Sequence, residues 1–177
     1  MVGGARLVAG AWVPWTPPCA TVQGPAVLAA SSATELVAAC DVGIWGPSPS
    51  GGQQGEHLYV SHDGGATFGE TGTTVPLDGV DAIASPGAGA IPAAGAIPAA
   101  GSTTQGSAIV GSFDGGRTCR TVLQIGEPVL TYLGFTTPLQ GVAITRTGTG
   151  TGGQTSLGTL LVTRDGGRTW SSATSYR

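Results

Sequence analysis

An eight-residue pattern recurs three times along the chain at a fixed interval. The copies are Ser61-His62-Asp63-Gly64-Gly65-Ala66-Thr67-Phe68, Ser112-Phe113-Asp114-Gly115-Gly116-Arg117-Thr118-Cys119 and Thr163-Arg164-Asp165-Gly166-Gly167-Arg168-Thr169-Trp170. Their aspartates stand at 63, 114 and 165, so 51 residues separate each from the next. A constant period of this length means that one supersecondary unit is built three times and stacked on itself.

Each copy has a physical reading as a turn between strands. Asp-Gly and Gly-Gly are hairpin signals, because Gly tolerates φ > 0 and Asp can accept hydrogen bonds from amides two residues on. An apolar run enters every copy: Leu58-Tyr59-Val60, Ala108-Ile109-Val110 and Leu160-Leu161-Val162. A threonine and then Phe68, Cys119 or Trp170 leave it. The unit is therefore strand, acidic turn, strand, with the exit residue expected to pack inward.

Composition agrees with a chain of short strands and tight turns. Of 177 residues, 32 are Gly and 12 are Pro, and only 10% are charged, against about 25% in an average domain. No lysine is present; the cations are seven arginines, and the formal charge is −3. That balance excludes a charged helical bundle and argues against nucleic acid as a partner, since no basic stripe exists to meet phosphates. The length allows one domain of ordinary size.

The pattern S/T-x-D-G-G-x-T-W resembles the Asp-box, or BNR repeat. The resemblance covers about 24 residues directly and, through the period, nearly the whole chain from Pro25 onward. It implies an all-β fold, a partial β-propeller of about three four-stranded blades, with each box joining the third and fourth strands of a blade. On that resemblance Asp63, Asp114 and Asp165 satisfy turn amides, while Phe68 and Trp170 plug the space between sheets. The structural set is then Ser61, Asp63, Gly65, Thr67 and Phe68; Ser112, Asp114, Gly116, Thr118 and Cys119; and Thr163, Asp165, Gly167, Thr169 and Trp170. Cys119 departs from the pattern, so its blade should be less well filled.

The period places the remaining strands. The first blade (25–76) takes strands at 26–30, 35–40, 57–61 and from 68, with Gly46–Gly52 as a loop. The second (77–127) begins near Val80–Ile83. It then crosses two tandem copies of Gly-Ala-Ile-Pro-Ala-Ala at 89–94 and 95–100, which read as a surface connection. The third (128–177) uses 130–135 and 140–144 and crosses a Thr/Gly loop at 147–153. Residues 1–24 read as the end of a preceding blade, with Ala5 to Pro14 as its closing strand. Closed propellers have about four to eight blades, so three repeats imply an open arc with sticky faces. Either the arc pairs with a second copy or it is the C-terminal part of a longer protein, which is the favoured expectation.

The Asp-box also occurs in sialidases and other glycoside hydrolases, so an active site must be sought. A familiar sialidase uses a Tyr nucleophile with a Glu partner, a separate Asp acid/base and three arginines that fork onto the substrate carboxylate. Here Arg117, Arg164 and Arg168 lie within the boxes, Arg120 lies just after one and Arg177 is terminal. Arg6 and Arg146 alone remain, too few for that grip. Glu35, Asp41, Glu56, Glu70, Asp78, Asp81 and Glu127 show no paired placement and read as solvated charges. Tyr132 is the sole inner-strand tyrosine candidate. The missing constellation argues against catalysis within the chain, and no catalytic residue is assigned.

Other motifs carry less. His57 and His62 fall on opposite faces of a strand by alternation and read as surface histidines, not metal ligands. The run at 148–153 lacks the ending of a phosphate loop. Trp12, Trp15 and Trp45 can stack on sugars, although core packing is their default role. Cys19, Cys40 and Cys119 match no zinc spacing. A disulfide between Cys19 and Cys40 is open in an oxidising compartment, and three buried thiols are the alternative.

No signal peptide is expected at the N-terminus, because Gly10 and Pro14 break the apolar stretch after Arg6. No transmembrane helix is expected either, because 82–101 is Ala, Gly and Pro. The family resemblance favours an extracellular or cell-envelope setting, and the composition a bacterial, high-GC source. The function expected is a non-catalytic binding or scaffold module, similar to BNR-like, WD40/YVTN-type and photosystem-assembly-factor-like propellers. Its partner would be a protein or carbohydrate, with no cofactor. The alternative is a fragment of a sialidase-like glycoside hydrolase whose catalytic residues lie on other blades.

Overall fold

The computed structural model describes residues 4–21, 26–41, 56–77, 79–87, 91–98, 105–126, 129–146 and 158–173. Among them the backbone is strand and turn, with one short 3-10 turn at Pro18–Thr21 and no α-helix. Three four-stranded antiparallel sheets follow one another along the chain, each a simple meander. The first contains β3 (Ala26–Ala30), β4 (Leu36–Asp41), β5 (Glu56–Ser61) and β6 (Gly69–Val75). The second contains β7 (Val80–Ile83), β8 (Ile91–Pro98), β9 (Gln105–Ser112) and β10 (Arg120–Gly126). The third contains β11 (Val129–Phe135), β12 (Gly141–Arg146), β13 (Gly158–Thr163) and β14 (Ser171–Ser172). The three octads join the third and fourth strand of each sheet.

Two hydrophobic clusters hold the sheets face to face. Val37, Ala39 and Leu58 of the first sheet pack on Val80, Ile83, Ala108 and Val110 of the second. Ile109, on the other face of the second sheet, packs with Leu130, Leu133, Ala143 and Leu161 of the third. Strand alternation produces this arrangement, because Ala108 and Val110 point one way and Ile109 the other. The small side chains Ala39, Ala108 and Ala143, all fully buried, let the central strands approach closely. The first strand of the second sheet, β7, lies against both β3 and β11.

Two expectations are corrected here. The duplicated segment is not a surface connection, because Ile91–Pro98 is strand β8, paired with β9 along its whole length. Proline inside a sheet argues against a strand that is paired on both edges, because its missing N–H leaves a ladder bond unmade. Here β7 pairs only with Ala93, Ala94 and Gly95, so Pro92 and Pro98 fall beyond the doubly paired stretch. Second, Ala5 to Pro14 is not one strand. It forms a hairpin of β1 (Gly4–Val8) and β2 (Ala11–Trp15), with Val8 opposite Ala11. Ala9 and Gly10 make the two-residue turn at φ 50° and 83°, the positive pair that a type I′ turn requires. The loops at 46–52 and 147–153 lie outside the described residues.

Candidate functional site

The three octads fold into superimposable hydrogen-bonded turns. In the first, Gly65 N donates to Ser61 Oγ at 2.8 Å, and that hydroxyl donates to Asp63 Oδ1 at 2.8 Å. Asp63 then accepts from Thr67 N at 2.9 Å and from the Thr67 hydroxyl at 2.6 Å. The second turn repeats this with Ser112, Asp114, Gly116 and Thr118 at 2.8–2.9 Å and a 2.7 Å hydroxyl bond. The third does so with Thr163, Asp165, Gly167 and Thr169. Each glycine pair lies at positive φ, from 69° to 88°, where a Cβ would be strained. The local sequence supplies the groups that make these bonds: a hydroxyl, a carboxylate two residues on, two glycines and a threonine.

These bonds set the electrostatics of the aspartates. The Thr67 hydroxyl and amide, then the Ser61 hydroxyl, hold the Asp63 carboxyl well below the usual carboxylate range. The Thr118 hydroxyl and amide hold Asp114 at about 2. At Asp165 burial opposes ionisation, but the Thr169 and Thr163 bonds outweigh it and the pKa is again about 2. Hydrogen bonds to the charged form produce such depression.

The exit residues differ in surroundings. Phe68 is half-buried under the hairpin, its ring 6.0 Å from that of Trp15. Trp170 meets Phe135 edge-on at 6.0 Å and packs against the second core cluster. Cys119 packs against the first cluster, and burial with the nearby Asp114 charge pushes its thiol up to about 11. The aromatic of the second octad is Phe113, in the position that His62 and Arg164 occupy in the others. Arg168 and Arg120 stack on its ring at 4.7 and 5.2 Å. That cross-sheet contact ties the second turn to the third.

Adjacent units clasp the first and second turns from one side. Thr73 of β6 donates to Arg117 O of the second turn at 2.6 Å. The hairpin does the same for the first turn, through Trp15 Nε1 to Gly65 O at 2.7 Å and Arg6 to Gly64 O at 3.3 Å. Arg6 is thereby engaged with backbone, which sequence reasoning did not foresee.

A cleft of about 420 Å³ opens between the first sheet and the second turn. Glu35, His62, Glu70 and Arg117 line it, together with Asp114. His62 Nδ1 contacts Glu35 at 2.6 Å, and His57 Nδ1 contacts Glu70 at 2.6 Å. The two histidines thus pair with different carboxylates, and among the described residues no group of three metal-ligating side chains forms.

Some individual expectations change. Glu56 is not a solvated charge; it is buried, and its carboxylate accepts Val80 N at 2.6 Å, fastening the first sheet to the second. Tyr132 is neither core nor solvated charge but stands exposed on the third sheet. Trp12 is exposed, since hairpin alternation turns Val13 and Trp15 inward instead. Cys19 and Cys40 form a disulfide with Cα atoms 5.3 Å apart. Trp45, Asp78, Glu127, Tyr176 and Arg177 lie outside the described residues. Among the described residues no helix is long and apolar enough to cross a membrane.

No family profile matches the sequence, and no curated protein does. Solved structures do match. One is a mutant of the α-L-arabinofuranosidase arb93a from Fusarium graminearum in complex with an iminosugar inhibitor, at 17% identity and a TM-score of 0.51. That match covers 82% of this chain and 46% of the other, so the chain spans less than half the enzyme's length. YCF48 bound to D1 peptide matches at 13% identity and a TM-score of 0.45, over 93% of this chain and 71% of that one. The GH74 xyloglucanase from Xanthomonas campestris matches at 16% identity and a TM-score of 0.45, over 82% and 23%. The arabinofuranosidase is a β-propeller. With three consecutive four-stranded meanders stacked face to face, the chain folds as a partial β-propeller.

Proposed function

We propose that the chain is an Asp-box propeller module with a non-catalytic binding or scaffold role. One observation carries this reading: in all three repeats the aspartate accepts the amide and hydroxyl of the threonine four residues on, and the hydroxyl two residues before. The acid that recurs along the chain therefore builds turns. Repeats whose polar residues hold the frame leave recognition to the surfaces between them, as is general where sites are grafted on a scaffold. The partner class is a protein or a carbohydrate.

A second reading, part of a glycoside hydrolase, is favoured by Glu35 and Glu70 lining one cleft, since glycosidases set two carboxyl groups around a sugar bond. Fluorogenic sialosides and arabinofuranosides separate the two. The scaffold reading expects no turnover above buffer. Turnover that Glu35→Gln or Glu70→Gln abolishes, in a variant with an unchanged melt, would replace it with the hydrolase reading.

A further inference from the structure

The 51-residue period gives the junction between the second and third sheets a counterpart between the first and second. Phe113 and Arg168, which stack at 4.7 Å across the second junction, correspond to His62 and Arg117 at the first. Arg120, the other guanidinium on the Phe113 ring, corresponds to Gly69. The first junction therefore lacks both the phenyl ring and one of the two cations that fill the second.

In their place it has the cleft of about 420 Å³, a size typical of ligand pockets. Val37 and Val60, opposite each other on β4 and β5, line it from the first sheet, and Arg117 lines it from the second turn. His62 does not fill it, because its side chain is 74% exposed and its Nδ1 is held by Glu35 at 2.6 Å. Among the described residues no Phe, Tyr or Trp ring stacks on Arg117, and its guanidinium forms no ion pair.

The second junction shows what fits such a space: a flat aromatic ring against a guanidinium, a pairing that ring electrostatics favour. Glu35 adds a polar requirement. One of its oxygens meets His62, and the carboxylate has further lone pairs to accept an O–H or N–H. Tyrosine and tryptophan carry such a donor, phenylalanine does not, and both commonly anchor protein interfaces by filling a pocket. We propose that this cleft takes a tyrosine or tryptophan side chain of a partner polypeptide, its ring against Arg117 as Phe113 lies against Arg168 and its polar edge donating to Glu35. The inference rests on the binding-module reading and names the place and the anchor of that binding.

Nuclear magnetic resonance titration of the whole chain with N-acetyltyrosinamide and N-acetyltryptophanamide tests it. The expected result is a saturable ring-current shift of the Arg117 side chain and of the Val37 and Val60 methyls, weaker with N-acetylphenylalaninamide and absent with N-acetylleucinamide. His62→Phe recreates the second junction in the first, so it should abolish the shifts while keeping the cooperative melt. Arg117→Ala does not depend on that ring fitting; its side chain is exposed, and its loss should weaken binding about three- to tenfold. The proposal is overturned by no saturable shift with either amide, by an equal response to the leucine amide, or by a folded His62→Phe chain that binds as the wild type does. Saturation by a methyl pyranoside and by none of the amides would also overturn it, leaving the cleft to a sugar. Turnover of the fluorogenic glycosides is a separate readout, so failure here and failure of the non-catalytic reading are told apart.

Discussion

Trp15 and Trp170 make the same hydrogen bond in two different repeats from unrelated places in the chain. Trp15 Nε1 donates to Gly65 O at 2.7 Å, and Trp170 Nε1 donates to Gly167 O at 3.1 Å. Both acceptors are the second glycine of an octad. In the third repeat the exit residue supplies the indole itself. In the first repeat the exit residue is Phe68, which has no N–H, and the hairpin brings in Trp15 beside it.

The first prediction follows from that substitution of roles. Trp15→Phe keeps a ring against Phe68 but removes the donor, so it should cost about 0.5–1.5 kcal/mol. Trp170→Ala also loses packing on Phe135 and the second cluster. It should fall near or below the lower end of the roughly 3–5 kcal/mol seen for buried tryptophans, because Trp170 is half-buried. Urea melts of the two variants check the order; a Trp15→Phe loss equal to that of Trp170→Ala would mean that the indole bond, not packing, dominates.

The turn hydroxyls give a sharper test than the acids. Ser112 is fully buried and both accepts Gly116 N and donates to Asp114. Ser112→Ala leaves that amide without a partner and should cost about 1–3 kcal/mol. Ser112→Thr should retain most of the stability, because Thr163 makes the same bonds in the third turn. Equal damage from both variants would show that packing around Ser112, rather than its hydroxyl, matters.

Acid should loosen the arc through the same turns. An unfolded aspartate titrates near 3.9, whereas Asp114 and Asp165 titrate at about 2 when folded. A folded pKa below the unfolded one stabilises at higher pH, so this contribution is complete above about pH 4 and fades as pH falls toward about 2. The melting temperature should therefore drop across that window. Asp114→Asn combined with Asp165→Asn should flatten the drop while lowering stability at neutral pH. An unchanged acid slope in the double variant would assign the transition to other carboxylates.

How much was legible depended on whether the chemistry was local. The octads were readable because the bonds among their own hydroxyl, carboxylate, glycine and threonine groups span at most four residues, and the strands of the first sheet followed from them nearly to the residue. The β8 segment was missed because Ala, Gly and Pro carry no periodicity, and its strand character comes from β9 alongside it. Glu56 was misread because nothing near it in sequence announces Val80, its partner 24 residues on. Gly141 shows the same limit: Phe135 lies across its bare Cα, where a Cβ would come within 2.8 Å of the ring. The cleft pairing Glu35 with His62 is likewise a product of strand register, which sequence alone does not supply.

The disulfide offers the last prediction. Cys19 sits in the 3-10 turn after the hairpin, and Cys40 is fully buried in β4. The bond spans 21 residues, and closing a loop of that size restricts the unfolded chain by about 3 kcal/mol. For a chain of this length that corresponds to roughly 6–12 °C in melting temperature. Reductant, or Cys19→Ala with Cys40→Ala, should produce a fall of that order, and the two treatments should agree. Reduction should also free the segment that carries the hairpin to its dock on the first turn, so Trp15 fluorescence should shift before the main transition. A fall in melting temperature with no early shift would mean that Trp15 and Arg6 hold the hairpin by themselves. No change at all on reduction would mean that the loop closure contributes nothing to stability.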